Sequence, residues 1–268
     1  MQIGVASELL RSLSLPAVID LVAATGFQAI EVWLDHWQRN GLKPAQLLRY
    51  LCSSGLIWTV HADMRDLNLI STNTGIRQES LRQVKEAIHL AAAIEAQVLT
   101  IHPGRLSSSK DRPEDFWPKQ VEVFHHLAET AAVAGVQLGV ENMEPRAGEF
   151  VVGLDDLERL LAAVDSPNLG VTLDLAHLFG QPGAREFVGR VPHLVNVHLS
   201  DAAPGRCHLP LGQGELDYEG LLDTLRQRYD GLLILEGYTP GPLGREREIL
   251  AYLYGKWQEY IVQKMIPQ

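Results

Sequence analysis

Short apolar runs that end in a polar residue alternate along this chain with longer stretches of helical spacing. Eight of the runs read as strands: Gln2–Ser7, Ala29–Leu34, Ile57–Asp63, Val98–Pro103, Val136–Asn142, Leu169–Asp174, Val195–Ser200 and Leu232–Gly237. They begin 26 to 41 residues apart. Their near-continuous apolar character suits strands covered on both faces, as a parallel sheet requires. The intervening stretches are amphipathic. Trp117, Val121, Phe124, Ala128 and Ala131 share one face of a helix that Gly135 would end, and Leu81, Val84, Ile88 and Ala91 repeat the pattern. Pro16 and Pro44 fit first helical turns, and Asp155 or Asp156 can cap the helix that follows. Gly26, Gly55, Gly135 and Gly231 each precede a strand by a few residues, where helices are expected to stop.

Eight strand–helix units in one unbroken series favour an α/β chain closed into a (β/α)8 barrel over an open doubly wound sheet. The open sheet often carries a glycine-rich phosphate loop after its first strand, and none follows Gln2–Ser7. No linker or shift of composition divides the chain, so residues 1–268 are expected to form one domain. That length suits the barrel, which typically needs about 250 residues. The long loops His102–Pro113 and Ser200–Tyr218 fall after strands, on the side of a barrel where chemistry is done.

Composition adds limits. The formal net charge of -10 speaks against unspecific binding to nucleic acid, which depends on clustered Lys and Arg. The two cysteines, Cys52 and Cys207, have no CxxC spacing, so a reducing compartment is the default. The start MQIGVAS reads as a strand rather than a targeting segment. No run approaches the ~18 apolar residues of a membrane span. A soluble, cytoplasmic protein without a membrane partner is expected.

What ends each strand carries the chemistry. TVHAD ends in His61, TIHPG in His102 and GVENM in Glu141; VTLDLAH supplies Asp174 and His177, NVHLSD supplies His198, and LILEGY supplies Glu236. In a parallel barrel these ends share one face, so seven ligand-capable side chains from six consecutive strands converge on one axis. Carboxylates gathered in an apolar barrel mouth repel one another unless neutralised. A divalent cation removes that cost and explains why oxygen and imidazole donors are mixed.

Together with IEVW, VHADMRDLNLIS, IHPGR and HLPLGQGELDY, these motifs span nearly the whole chain. The set resembles the xylose-isomerase-like barrel superfamily, which holds sugar isomerases, sugar epimerases and the endonuclease IV group. The resemblance implies a shared metal site of Glu141, Asp174, His198 and Glu236, and a substrate contact at His177. It implies a second metal position at His61 and His102 if the endonuclease pattern holds. His208 matches a histidine that the endonucleases use for a third metal together with an aspartate two residues earlier. That earlier position is Arg206 here, which cannot ligate a cation and suits a substrate hydroxyl or phosphate instead.

The expected activity is therefore a metal-dependent isomerase or epimerase of a small sugar or sugar phosphate. The reaction would pass through an enediolate, with Glu141 and Glu236 exchanging the proton as base and acid. His177, Arg206 and His208 would contact substrate. One histidine and three carboxylates suit Mn2+, Mg2+ or Co2+, whereas adding His61 and His102 shifts preference toward Zn2+. An endonuclease IV-like phosphodiesterase is the alternative, and a dehydratase or lyase on the same scaffold is a third. A homo-oligomer paired through outer helices is compatible with this shape.

Other residues read as structural. Glu31 in IEVW points toward the same face, where pairing with a buried neighbour is favoured over substrate contact. Trp33 and Trp37 read as core before sugar-stacking platforms. Cys207 reads as incidental, and Asp201 and Asp217 as turn caps. The stretch TPGPLGRE, with Gly241 and Gly244, falls where many barrels bind phosphate but carries no sharper signature.

Overall fold

The computed structural model describes residues 1–237 and 245–265. Among these, eight parallel strands close a barrel: β1 (Gln2–Ala6), β2 (Ala29–Trp33), β3 (Ile57–His61), β4 (Val98–Ile101), β5 (Gln137–Glu141), β6 (Leu169–Asp174), β7 (Leu194–Leu199) and β10 (Leu232–Leu235). Each pairs with its sequence neighbour, and β1 closes the circle against β10. The eight strands lie where the apolar runs predict them. Most end one or two residues earlier, because Asp63, Pro103, Asn142 and Gly237 already belong to the loops at the barrel mouth. Strands β8 (Asp201–Ala203) and β9 (Arg206–Leu209) form a separate antiparallel hairpin inside the predicted 200–218 loop. Its turn is Pro204–Gly205, with Gly205 at φ 71°, a backbone state open to glycine and closed to most other residues.

The helices are α1 (Leu15–Thr25), α2 (Leu34–Asn40), α3 (Pro44–Ser54), α4 (Thr74–Ala93), α5 (Pro113–Ala134), α6 (Leu154–Val164), α7 (Ala184–Arg190), α8 (Tyr218–Leu225) and α9 (Glu246–Met265). α1 and α3 carry proline in the first turn, and α5 ends at Gly135 as expected. Asp156 caps α6, its Oδ2 accepting from the amides of Val152 and Gly153. Gly231 ends no helix: α8 stops at Leu225, and Arg226–Asp230 intervene. The TPGPLG stretch lies outside the described residues. Among the described residues no helix is long and apolar enough to cross a membrane.

Alternation along each strand sorts the side chains into two environments. Ile3, Val5, Ile30, Val60, Leu99 and Leu138 face the helices and join the main apolar core. Burial of each such side chain stabilises by about 1.5–3 kcal/mol, and this layer offsets the cost of a polar interior. Ala6, Ala29, Leu232 and Ile234 form a second, smaller cluster inside the barrel. Above Ala29, the interior turns polar at Glu31, Thr59, Thr100, Thr172 and Asn196, all completely buried.

Candidate metal and substrate site at the barrel mouth

Two residues beyond that polar layer, the same parity brings the strand-end side chains together. His61 ends β3, Glu141 ends β5, Asp174 ends β6, and His198 lies near the end of β7. Glu236 follows β10 directly, and Asp174 sits in register beside His198. One donor atom each from Glu141, Asp174, His198 and Glu236 lies within 4.8 Å of the others. All four residues are buried. Donor atoms lie equally close in three further groups, with His102, Cys207 and His208 half-buried: His61, His102 and Glu141; Glu31, His61, His198 and Glu236; and His177, Cys207 and His208.

Glu141 is the hub. Its Oε2 faces Nε2 of His61 at 3.4 Å and Nε2 of His102 at 3.1 Å. Its Oε1 lies 3.6 Å from His198 Nδ1, which is in turn 3.3 Å from Glu236 Oε2. Burial alone would push the Glu141 carboxyl up, but the imidazoles of His102 and His198 hold it well below the usual carboxylate range. The same field acts in reverse on His198. Burial opposes its charge, yet Glu236, Glu31 and Glu141 raise it well above the ordinary histidine value.

Several ring orientations are dictated by neighbours. His61 Nδ1 lies 2.7 Å from the Ala62 carbonyl and donates to it, which leaves Nε2 facing Glu141. His177 Nδ1 likewise donates to the Asn142 carbonyl at 2.7 Å, and its Nε2 meets Nε2 of His208 at 3.2 Å. His208 is held at φ 56°, a costly conformation for a non-glycine residue, which commonly marks functional sites.

The fit to a cation can be tested on the atoms left over. Asp174 Oδ2, His198 Nδ1 and Glu236 Oε1 are buried without a hydrogen-bond partner. Such groups normally cost about 1–3 kcal/mol each. All three belong to the four-residue set, and all are ligand atoms for a hard or borderline divalent ion. The residues present therefore fit such an ion.

Above this floor opens a cavity of about 550 Å³, lined by His61, His102, Glu141, His177, His208 and Glu236 below and by Trp33, Arg65, Arg105, Arg146 and Glu149 toward the rim. Arg206, expected at the substrate, is exposed on β9 and is not among the residues lining this cavity. The unexpected hairpin turns it outward while carrying His208 in. Three more residues adjoin the site: Glu31 and Trp33, which the sequence reads as structural, and Glu149, which it does not single out. Glu31 lies beneath His198. Trp33 lines the cavity with its ring stacked on His61 at 4.3 Å. Glu149 stands on the loop after β5, its carboxyl pushed up by burial. Only Glu31 and Trp33 carried a sequence signal, at interior-facing positions of β2.

A closed parallel barrel with titratable side chains converging at the carboxyl ends of its strands defines the class: a (β/α)8 barrel with an enzyme-type mouth. Residues 19–254 match the family described as xylose isomerase-like TIM barrel, and the chain belongs to that family. It is 25% identical over 230 residues to a fructoselysine 3-epimerase of Shigella flexneri, covering 80% of this chain and 82% of that protein. It is also 25% identical over 219 residues to a probable endonuclease 4 of Mycobacterium marinum, covering 76% and 82%. The fold matches a crystal structure of a D-tagatose 3-epimerase-like protein at a TM-score of 0.84 and 23% identity, over 99% of this chain and 100% of that one.

Proposed function

We propose that this protein is a divalent-cation-dependent isomerase or epimerase acting on a small sugar or sugar phosphate. One observation carries the reading: Glu141, Asp174, His198 and Glu236 converge beneath a sugar-sized cavity with three of their ligand atoms buried and unpartnered. These four residues would hold the ion. When bound, a divalent cation supplies electrophilic stabilisation of charge developing on adjacent substrate oxygens. Glu141 and Glu236 both approach His198 Nδ1, from the β5 and β10 ends; one takes the proton from the carbon next to the carbonyl, and the other returns it. His177 and His208 face the cavity from one side and orient hydroxyls, and Trp33 offers its ring at the other. The similarity to a fructoselysine 3-epimerase supports this chemistry.

Incubation with a panel of ketoses and ketose phosphates in deuterated water, with Mn2+, Co2+ or Mg2+, should place deuterium at the epimerised carbon. Absence of incorporation across the panel overturns the reading. Product analysis separates a dehydratase, which would release water after the same proton removal.

A second reading rests on its own observation. His61, His102 and Glu141 form a three-donor group sharing the Glu141 carboxylate, which suits a second ion in a phosphodiesterase, and a probable endonuclease 4 is similar in sequence. The net charge of -10 speaks against it. Cleavage of abasic-site DNA with two or three bound ions per chain would establish it in place of sugar chemistry.

A further inference from the structure

Glu31 is completely buried inside the barrel, one polar layer below the mouth. Donors surround its Oε2: Asn196 Nδ2 at 2.9 Å, Thr59 Oγ1 at 3.0 Å and Thr100 Oγ1 at 3.5 Å. Nε2 of His198 hydrogen-bonds to the same Oε2 at 3.3 Å and lies 3.1 Å from Oε1, which has no hydrogen-bond partner of its own; Asn196 Nδ2 stands 3.3 Å from that nitrogen. The Thr100 hydroxyl in turn meets Thr172 Oγ1 at 3.0 Å, so the cluster reaches β6, the strand that ends in Asp174.

A buried carboxylate ringed by donors is an acceptor, and the imidazole nitrogen that lies within 3.3 Å of both its oxygens is called on to bring a proton. His198 can supply it through Nε2. Its Nδ1 then carries the lone pair, and that nitrogen faces Glu141 and Glu236 at 3.6 and 3.3 Å. The opposite ring state would turn a lone pair toward a carboxylate and a proton toward the ligand set.

We infer that Glu31 is a positioning residue that keeps the proton of His198 on Nε2 and thereby selects Nδ1 as the ligand atom at the mouth. The inference rests on the proposed cation site and adds what determines it. Among the described residues, two of the donor groups share His198 and Glu236, one with Glu31 and one without. Glu31 is engaged by Thr59, Asn196 and His198, so the ion belongs in the upper group with Asp174. Carboxylate–histidine–metal relays of this kind fix the ring and raise its basicity as a ligand.

The substitution Glu31→Gln tests this with little change of volume. If the amide oxygen takes the place of Oε2 among Thr59, Thr100 and Asn196, the amide N–H2 must face His198 Nε2. The ring is then driven to the Nδ1–H form, which cannot ligate. In 15N-histidine spectra of the metal-free wild-type protein, recorded at alkaline pH so that the ring has given up its second proton, the neutral His198 ring should carry its remaining proton on Nε2. In Glu31→Gln it should carry it on Nδ1. Mn2+ affinity by calorimetry should fall about 10–100-fold in the variant, with thermal unfolding recorded alongside to show that the fold is intact. A neutral wild-type ring protonated on Nδ1 overturns the inference, as does a folded Glu31→Gln protein that binds Mn2+ within about threefold of wild type. The wild-type spectrum decides the ring state even if the variant fails to fold. A wild-type protein that binds no Mn2+ while showing the Nε2–H ring would remove the proposed function and leave the Glu31–His198 relation standing.

Discussion

Asn142 and Asp174 clasp each other across two adjacent strand ends. The backbone amide of Asp174 donates to Asn142 Oδ1 at 2.8 Å, and Asn142 Nδ2 donates back to the Asp174 carbonyl at 3.0 Å. The pair is completely buried, and the Asn142 carbonyl also orients His177. The carboxylate is thus held by its own backbone and by the His177 amide, which donates to Oδ1 at 3.1 Å, while Oδ2, the atom that would bind a ligand, has no hydrogen-bond partner.

Asn142→Leu should remove that clasp at similar volume and leave a buried amide and carbonyl unpaired. The expected cost is about 1–3 kcal/mol of stability for each group left unsatisfied, read by urea denaturation of the metal-free protein. Mn2+ affinity should fall in the same variant, because Asp174 loses its fixed approach.

Removing either proton-transfer carboxylate should abolish exchange without unfolding the barrel. Glu236→Gln and Glu141→Gln are each expected to lower solvent-deuterium incorporation by about 10²–10⁴-fold. Near-wild-type incorporation in either variant assigns the proton transfer to another group, with Glu149 the first to test.

The metal-free protein should lose stability on both sides of a mildly acidic optimum. His198, His61 and His177 are buried, yet their carboxylate neighbours hold all three above the ordinary value of 6.5. Raised folded-state values contribute stability fully present below about 6.5 and lost as pH rises through them. Glu149, raised by burial, acts in the same direction. Glu31 and Glu141 are held below 4.5 by the histidines despite burial, so their contribution is present above that value and lost as pH falls through the folded values. Calorimetric melting should therefore peak between roughly pH 4.5 and 6.5 and decline toward pH 9. Added Mn2+ should lessen the alkaline decline, since the cation takes over the neutralising role of the protons.

The two cysteines should differ in reactivity. Cys52 is exposed, whereas burial, with Asp174 and Glu144 adding to it, pushes the Cys207 thiol up to about 12. Alkylation of the native protein at pH 8 followed by mass spectrometry should label Cys52 first and Cys207 slowly. Equal rates would show that the hairpin opens readily.

The pattern along the chain determined a good deal by itself. Strands buried on both faces need long apolar runs, and eight such runs with helical stretches between them leave few ways to close a sheet. Period-two alternation then placed Glu141, Asp174, His198 and Glu236 at matching ends, because parallel strands in a barrel all point one way. Tertiary structure alone decided the rest, since the deciding contacts join residues far apart in sequence. The 200–218 loop contains a hairpin whose pairing sends Arg206 outward and His208 inward, a matter of strand register that composition does not encode. Asp201, with both carboxylate oxygens accepting from amides of 202, 212, 214 and 216, holds that loop as no local motif announces. Glu31 looked like a residue seeking a neighbour. Which neighbour it found, His198 on the far side of the barrel, depends on closure of the whole ring, and a ring closes only in three dimensions.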